Sequence, residues 1–160
     1  WRDLEEAEPE FASRVRRMFD AGRHKTIATL RADGSPRISG IECEIVDGEL
    51  RFGSMTGSRK GADLERDPRF ALHGPTAHPL EGHEDEWPGE AKIAGRAVLA
   101  PPDDGGSGPD DPVSNDDVPD GLTFVADMSE VVITALDEAA TMLVIETWTP
   151  EHGLRRIERP

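Results

Sequence analysis

Two Asp-Gly steps, Asp33-Gly34 and Asp47-Gly48, separate three segments of strand character, and they limit the fold more than any other feature of the chain. A tight hairpin loop needs positive φ, which Gly takes freely and Asp tolerates, so Asp-Gly between apolar runs signals a hairpin. The first step joins residues 25–31, KTIATLR, to residues 36–46, PRISGIECEIV. The second leads into a strand in which Leu50 and Phe52 alternate with Glu49, Arg51 and Gly53, a period of two. A three-stranded antiparallel meander is predicted. Gly40 interrupts its middle strand, which predicts a bulge or the close approach of another group.

The meander runs into a polar turn and a helix. Ser54, Thr56, Gly57, Ser58, Arg59, Lys60 and Gly61 arrive together, Leu64 lies in the helix, and Asp67-Pro68 stops it. Such a turn suits a phosphate, because a helix start leaves backbone N–H groups unpaired and its dipole favours an anion. Arg59 offers a planar fork and Lys60 a mobile point charge. Each charge-assisted hydrogen bond contributes roughly 1.5–3 kcal/mol. The stretch is neither GxxxxGK[ST] nor GxGxxG. A solvated turn with a capped helix also fits it, with the two cations paired to Asp63 and Glu65.

The remaining segments complete a mainly β architecture with α elements. Residues 1–9 are charged and predicted to be loosely ordered. Phe11, Val15, Met18 and Phe19 share one face of a helix over residues 10–22, with Gly22 as its C′ residue. Strands are predicted around Phe70–Leu72, over 90–100 with a bulge at Gly95, over 129–136 and 139–147 joined at Asp137-Glu138, and in a short stretch after His152-Gly153. Residues 101–120 hold seven Asp and no Lys or Arg, and read as an exposed acidic insertion rich in Pro and Gly. Six to seven antiparallel strands with one or two covering helices imply one domain over residues 1–160, a small β-barrel whose closure would remove the sheet edges.

Composition excludes several partners. A formal net charge of −15 argues against nucleic acid and against anionic membrane surfaces. No apolar run approaches the roughly 20 residues of a membrane-spanning helix. Cys43 is the only cysteine, so no internal disulfide forms, and the acidic first residues are unlike a secretory leader; the expectation is a cytoplasmic protein. His73, His78 and His83 recur near Glu84, Asp85 and Glu86 without the spacing of a zinc site. Cys43, Trp87 and Trp148 read as core or interface residues. No Ser-His-Asp or Cys-His arrangement stands out.

In order along the chain stand Ala28-Thr29-Leu30, Asp33-Gly34-Ser35-Pro36, Asp47-Gly48-Glu49-Leu50, Ser58-Arg59-Lys60 and Asp67-Pro68-Arg69, followed by EAKIAGRAV over 90–98. This succession resembles the pyridoxamine 5′-phosphate oxidase-like family of flavin- or deazaflavin-binding proteins, over roughly residues 24–100. The resemblance implies an FMN-binding split β-barrel, a homodimer with the site at its interface, and a phosphate-bearing cofactor: FMN, with coenzyme F-420 as the alternative. By position it implies that Ser54, Ser58, Arg59 and Lys60 hold the phosphate end. Ile38, Ser39, Gly40, Phe52, Gly53 and Met55 would border the ring. It implies an oxidoreductase that moves hydride to or from a small organic substrate, the hydride chemistry belonging to the cofactor. Vitamin B6 is not the expected substrate, because the substrate apparatus of the true oxidases has no counterpart here. The alternatives are a non-catalytic flavin module and a haem-binding split barrel with His73 or His24 as axial ligand.

Overall fold

The structure, a computed structural model, describes residues 1–79, 81–83, 86–101 and 121–160. The acidic insertion expected over 101–120 lies outside the described residues, apart from exposed Pro101. Two helices open the chain, α1 (Arg2–Ala7) and α2 (Pro9–Asp20). The meander follows as β1 (Lys25–Leu30), β2 (Pro36–Ile41), β3 (Cys43–Val46) and β4 (Glu49–Met55). Then come α3 (Arg59–Arg66), β5 (Arg69–His73), β6 (Glu90–Leu99), β7 (Gly121–Leu136), β8 (Leu143–Thr149) and β9 (Gly153–Arg159). Among the described residues there are thus nine strands, where six to seven were expected. The meander's middle segment breaks in two at Glu42, and the C-terminal strand is long enough to pair with β8.

Both Asp-Gly steps turn the chain as their chemistry requires. Asp47 and Gly48 take φ of 53° and 77°, which the tight turn between Val46 and Glu49 demands. At the first step only Gly34 is positive; Asp33 Oδ1 accepts from the Ser35 N–H at 2.9 Å and so holds a wider loop. Gly95 does mark a bulge, with the β6–β7 register shifting between Ala94 and Gly95. Gly40 does not, since it pairs with Thr26 in an unbroken ladder.

All pairings are antiparallel, in the order β2-β1-β5-β6-β7-β4-β3. β7 is the axle. Its first residues pair with β4 and its last with β8, while β6 follows it along the other side. The two ends of the order, β2 and β3, are joined by Glu42 alone, so the sheet must curl until its edges face each other. No ladder joins β2 to β3 or β4 among the described residues, and the sheet stays open along this seam. Closure without edges is therefore not achieved.

The inward residues form one apolar cluster. It includes Ile27, Leu50, Phe52, Leu72, Ile93, Phe124, Val131 and Ile133. Phe52 meets Phe70 edge-on at 5.2 Å between centroids and stacks with Phe124 at 5.9 Å. α2 covers the cluster with Phe11, Val15 and Phe19, the face read from its periodicity. Residues 1–9 are not loose: Leu4 is fully buried and Trp1 nearly so, with the Arg16 guanidinium 5.3 Å from the Trp1 ring. Trp1 and Leu4, three apart, give α1 the apolar face that seats it, and the Arg2 side chain donates to the Asp47 carbonyl at 3.0 Å. No described helix is long and apolar enough to cross a membrane.

Candidate functional site

Alternation along β4 turns Leu50, Phe52 and Ser54 inward and Arg51, Gly53 and Met55 outward. The strand ends at a turn through Gly57, at φ 74°, and Ser58 caps α3 by accepting from the Gly61 N–H at 3.1 Å. A short hydrogen bond ties the Ser54 and Ser58 hydroxyls together. Gly61 is needed there, because an added Cβ would stand 3.0 Å from the Ser58 Oγ and 3.1 Å from the Ser54 Oγ. The turn is thus a rigid, hydroxyl-lined entry to the helix.

The two cations after the cap are not used by the acids nearest in sequence. Arg59 is exposed and makes no ion pair among the described residues. Lys60 donates its Nζ to the Gly40 carbonyl at 2.8 Å, and partial burial pushes its ammonium below the usual lysine range. Asp63 is taken by other partners. Its buried carboxylate accepts from Arg37 Nε at 2.6 Å, Thr29 Oγ1 at 2.9 Å and Arg66 Nη2 at 3.1 Å. The Arg37 guanidinium, against the desolvation of burial and with help from Arg66 and Thr29, holds it down at about 2. This clasp fastens α3 to β1 and β2, and so fixes where Arg59 and Lys60 stand.

Across the seam lies a groove of about 500 Å³, lined by Gly40, Gly53, Ser54, Met55 and Lys60 together with Leu122. Its floor is bare main chain. A Cβ added at Gly40 would meet nothing within 4 Å, and one at Gly53 would meet only the Leu122 carbonyl at 3.9 Å. Exposed Met55 and Ile38, at 67% and 76%, form apolar shoulders on the same outer face. A flat aromatic ring can lie on such a floor, with an anionic tail reaching the start of α3. The residues present therefore fit a phosphate-bearing flavin.

The sequence-predicted residues divide between two faces. Ile38, Gly40, Gly53 and Met55 face outward, while Ser54 and Lys60 line the groove from its end. Ser39 is half-buried, on the face of β2 opposite Ile38 and Gly40. The Phe52 ring belongs to the aromatic core, and the Ser58 hydroxyl is committed to the cap. His24, expected only as a haem ligand, also lines the groove, as do Ile41, Glu42, Gly121, Leu122 and Thr123, which were not foreseen. The last three open β7, which is predicted only from Ser129; the alternation of Leu122, Phe124, Ala126 and Met128 is the signal that reveals its first half.

His73 engages the Gly74 carbonyl through Nδ1 at 2.7 Å and Glu90 through Nε2 at 3.2 Å. Among the described residues no three His, Cys, Asp or Glu side chains are grouped to hold a metal ion. Burial pushes the Cys43 thiol up to about 11, which leaves it a poor nucleophile at neutral pH.

The architecture recurs in solved structures. A pyridoxamine 5′-phosphate oxidase-related, FMN-binding protein from Nostoc punctiforme is 14% identical, with TM-score 0.61 and 96% of each chain covered. PhzG from Burkholderia lata, solved with tetrahydrophenazine-1-carboxylic acid, is 13% identical at TM-score 0.60, over 94% of this chain and 86% of that one. A heme binding protein from Mycobacterium smegmatis is 14% identical at TM-score 0.52, over 94% and 88%. At such identities the likeness concerns the fold. No curated protein is significantly similar to the chain. The family model described as pyridoxamine 5′-phosphate oxidase matches residues 12–106. With its mostly antiparallel split-barrel sheet and the seam groove between β2 and β4, the chain belongs to the pyridoxamine 5′-phosphate oxidase-like family.

Proposed function

We propose that the seam groove binds FMN, and that the protein is a flavin-dependent oxidoreductase acting on a small organic substrate. The observation that carries this reading is the bare glycine floor of Gly40 and Gly53 beside the cation pair Arg59-Lys60. Arg59 and Lys60, with the Ser54 and Ser58 hydroxyls at the helix start, hold the phosphate; Ile38, Ser39, Gly40, Phe52, Gly53 and Met55 flank or support the ring. Lys60 gives up the Gly40 carbonyl for the phosphate, which exchanges a neutral acceptor for an anion. Bound there, the flavin supplies the hydride chemistry, and the chain supplies position and an apolar surround. Ile38 and Met55 are too exposed to exclude water alone, so a second copy of the chain covers them in a homodimer. Coenzyme F-420 is the alternative cofactor, since the same cations suit its phosphate. The single cysteine accords with work in the cytoplasm.

A haem module is favoured by one observation only: His24 lines the groove, its side chain 81% exposed and its Nδ1 3.6 Å from Glu42. A Soret band lost in His24→Ala would support it.

Comparison of FMN with riboflavin, which lacks the phosphate, tests the cofactor reading. Two charge-assisted hydrogen bonds predict that FMN binds roughly 10²-fold tighter or more. Arg59→Ala combined with Lys60→Ala is expected to erase that preference and leave riboflavin binding as it was. Equal affinities for the two ligands in the unsubstituted protein would rule the phosphate assignment out.

A further inference from the structure

Past Gly53 the groove continues into a second lobe of about 580 Å³. Glu42, Gly53 and Thr123 line both spaces, so the lobe lies on the side of Gly53 away from Lys60. Three cations line it, Arg23, Lys25 and Arg51, against two carboxylates, Glu42 and Glu44. Cations outnumber carboxylates in this lining, in a chain whose net charge is −15, although Arg23 and Arg51 are each matched by an acid.

Lys25 is the unusual member. It is only 7% exposed, at the first position of β1, with its side chain on the inward face with Ile27 and Thr29. Its Nζ donates to the Arg23 carbonyl at 3.3 Å and the Cys43 carbonyl at 3.4 Å, both near the long limit of a hydrogen bond. It forms no ion pair among the described residues, and its third donor has no acceptor there. Of the two acids in the lining, Glu42 pairs with Arg23 at 2.8 Å, and Glu44 is exposed and makes no ion pair among the described residues. Arg51 pairs with Glu49, also at 2.8 Å. A buried ammonium held by two long carbonyl contacts is costly unless an anion completes it.

We infer that this lobe is a carboxylate subsite: Lys25, flanked by Arg51, receives the carboxylate of a small organic acid whose body lies over Gly53, against the ring. The substrate class of the proposed oxidoreductase is then organic acids, and that part of the inference rests on the flavin reading. Recognition of the carboxylate rests on Lys25 alone. The two ends of the groove divide the work, with Arg59 and Lys60 taking the cofactor's phosphate and Lys25 the substrate's anion.

Benzoate and its neutral isostere benzamide are the probes, added to the ¹⁵N-labelled full chain with and without FMN, while flavin fluorescence reads FMN binding separately. Benzoate is expected to shift the amides of Lys25, Cys43 and Arg51 saturably, and benzamide to bind roughly tenfold more weakly or worse. Lys25→Met is expected to remove the preference and Lys25→Arg to retain it, while Arg59→Ala leaves it alone. Absence of a saturable benzoate shift, or equal binding of benzamide, overturns the subsite without any variant. FMN binding without benzoate binding sinks the subsite and spares the flavin reading. Benzoate binding at Lys25 without FMN binding does the reverse.

Discussion

Replacing Asp63 with Asn tests the clasp that holds the helix of the site. In the folded chain Asp63 sits at about 2 against an ordinary value of 3.8. That difference corresponds to roughly 2 kcal/mol of stability at neutral pH. Because the folded state favours the ionised form, this stability is complete above 3.8. It is lost as pH falls through about 2. The substitution also leaves Arg37, 17% exposed, without its carboxylate, and removing one member of a buried pair costs about 3–5 kcal/mol. The Arg66 arm is 41% exposed and largely screened, so it adds little. The expected loss at pH 7 is therefore roughly 2–4 kcal/mol, a fall in Tm of roughly 5–12 °C for a domain of this size. Urea unfolding, followed by tryptophan fluorescence from neutral pH down to about 2, measures it. The gap between the two proteins should be wide at pH 7 and close towards pH 2. Other depressed carboxylates, such as Asp67, titrate alike in both proteins and cancel from the difference. A gap below about 0.5 kcal/mol at pH 7, or one that does not change with pH, would refute the ionic account of the clasp.

Other substitutions separate the site from the scaffold. Gly53→Val places a branched side chain on the groove floor, where only the Leu122 carbonyl comes within 4 Å; FMN affinity should fall roughly 30-fold or more while the urea midpoint barely moves. Undiminished FMN binding would move the ring elsewhere. Gly95→Ala sets a Cβ 2.1 Å from the Asp127 carbonyl oxygen and 2.9 Å from the Met128 Cα, so stability should drop by roughly 2 kcal/mol or more. Wild-type stability in that variant would contradict so close an approach of the two strands at the bulge.

Local chemistry made much of this fold legible. Asp47-Gly48 and the Phe11–Phe19 face act through neighbours in sequence, and their turn and helix follow from those neighbours. Elements settled by distant partners were not legible in the same way. Trp1 and Leu4 look like ends of a charged tail until the sheet offers them a surface. Gly40 reads as either a bulge or a close approach, because a strand glycine has two uses; the unbroken ladder with Thr26 removes the first, and the open space above Gly40 leaves room for the second. The long β7 was half seen: Val131, Val132 and Ile133 announce themselves, whereas Thr123, Val125 and Asp127 dilute the first half with outward polar and small residues. Its first residues line the groove, so the lining of the candidate site was legible on the β2–β4 side and at α3, not along β7. Phe52 enters the predicted site by position in the resemblance; strand alternation turns its ring to the face opposite Gly53, and the residue lines the second lobe.

The most direct test of the central reading is a titration of the purified chain with FMN, followed by flavin absorbance and fluorescence, with F-420 run in parallel. Saturable binding of one FMN per chain, lost in Gly53→Val, is the expected result. Saturation by F-420 in place of FMN would keep the groove and change the cofactor. Failure of both to saturate would contradict a cofactor site at the seam, and leave the strand–turn–helix at Ser58 as scaffold alone.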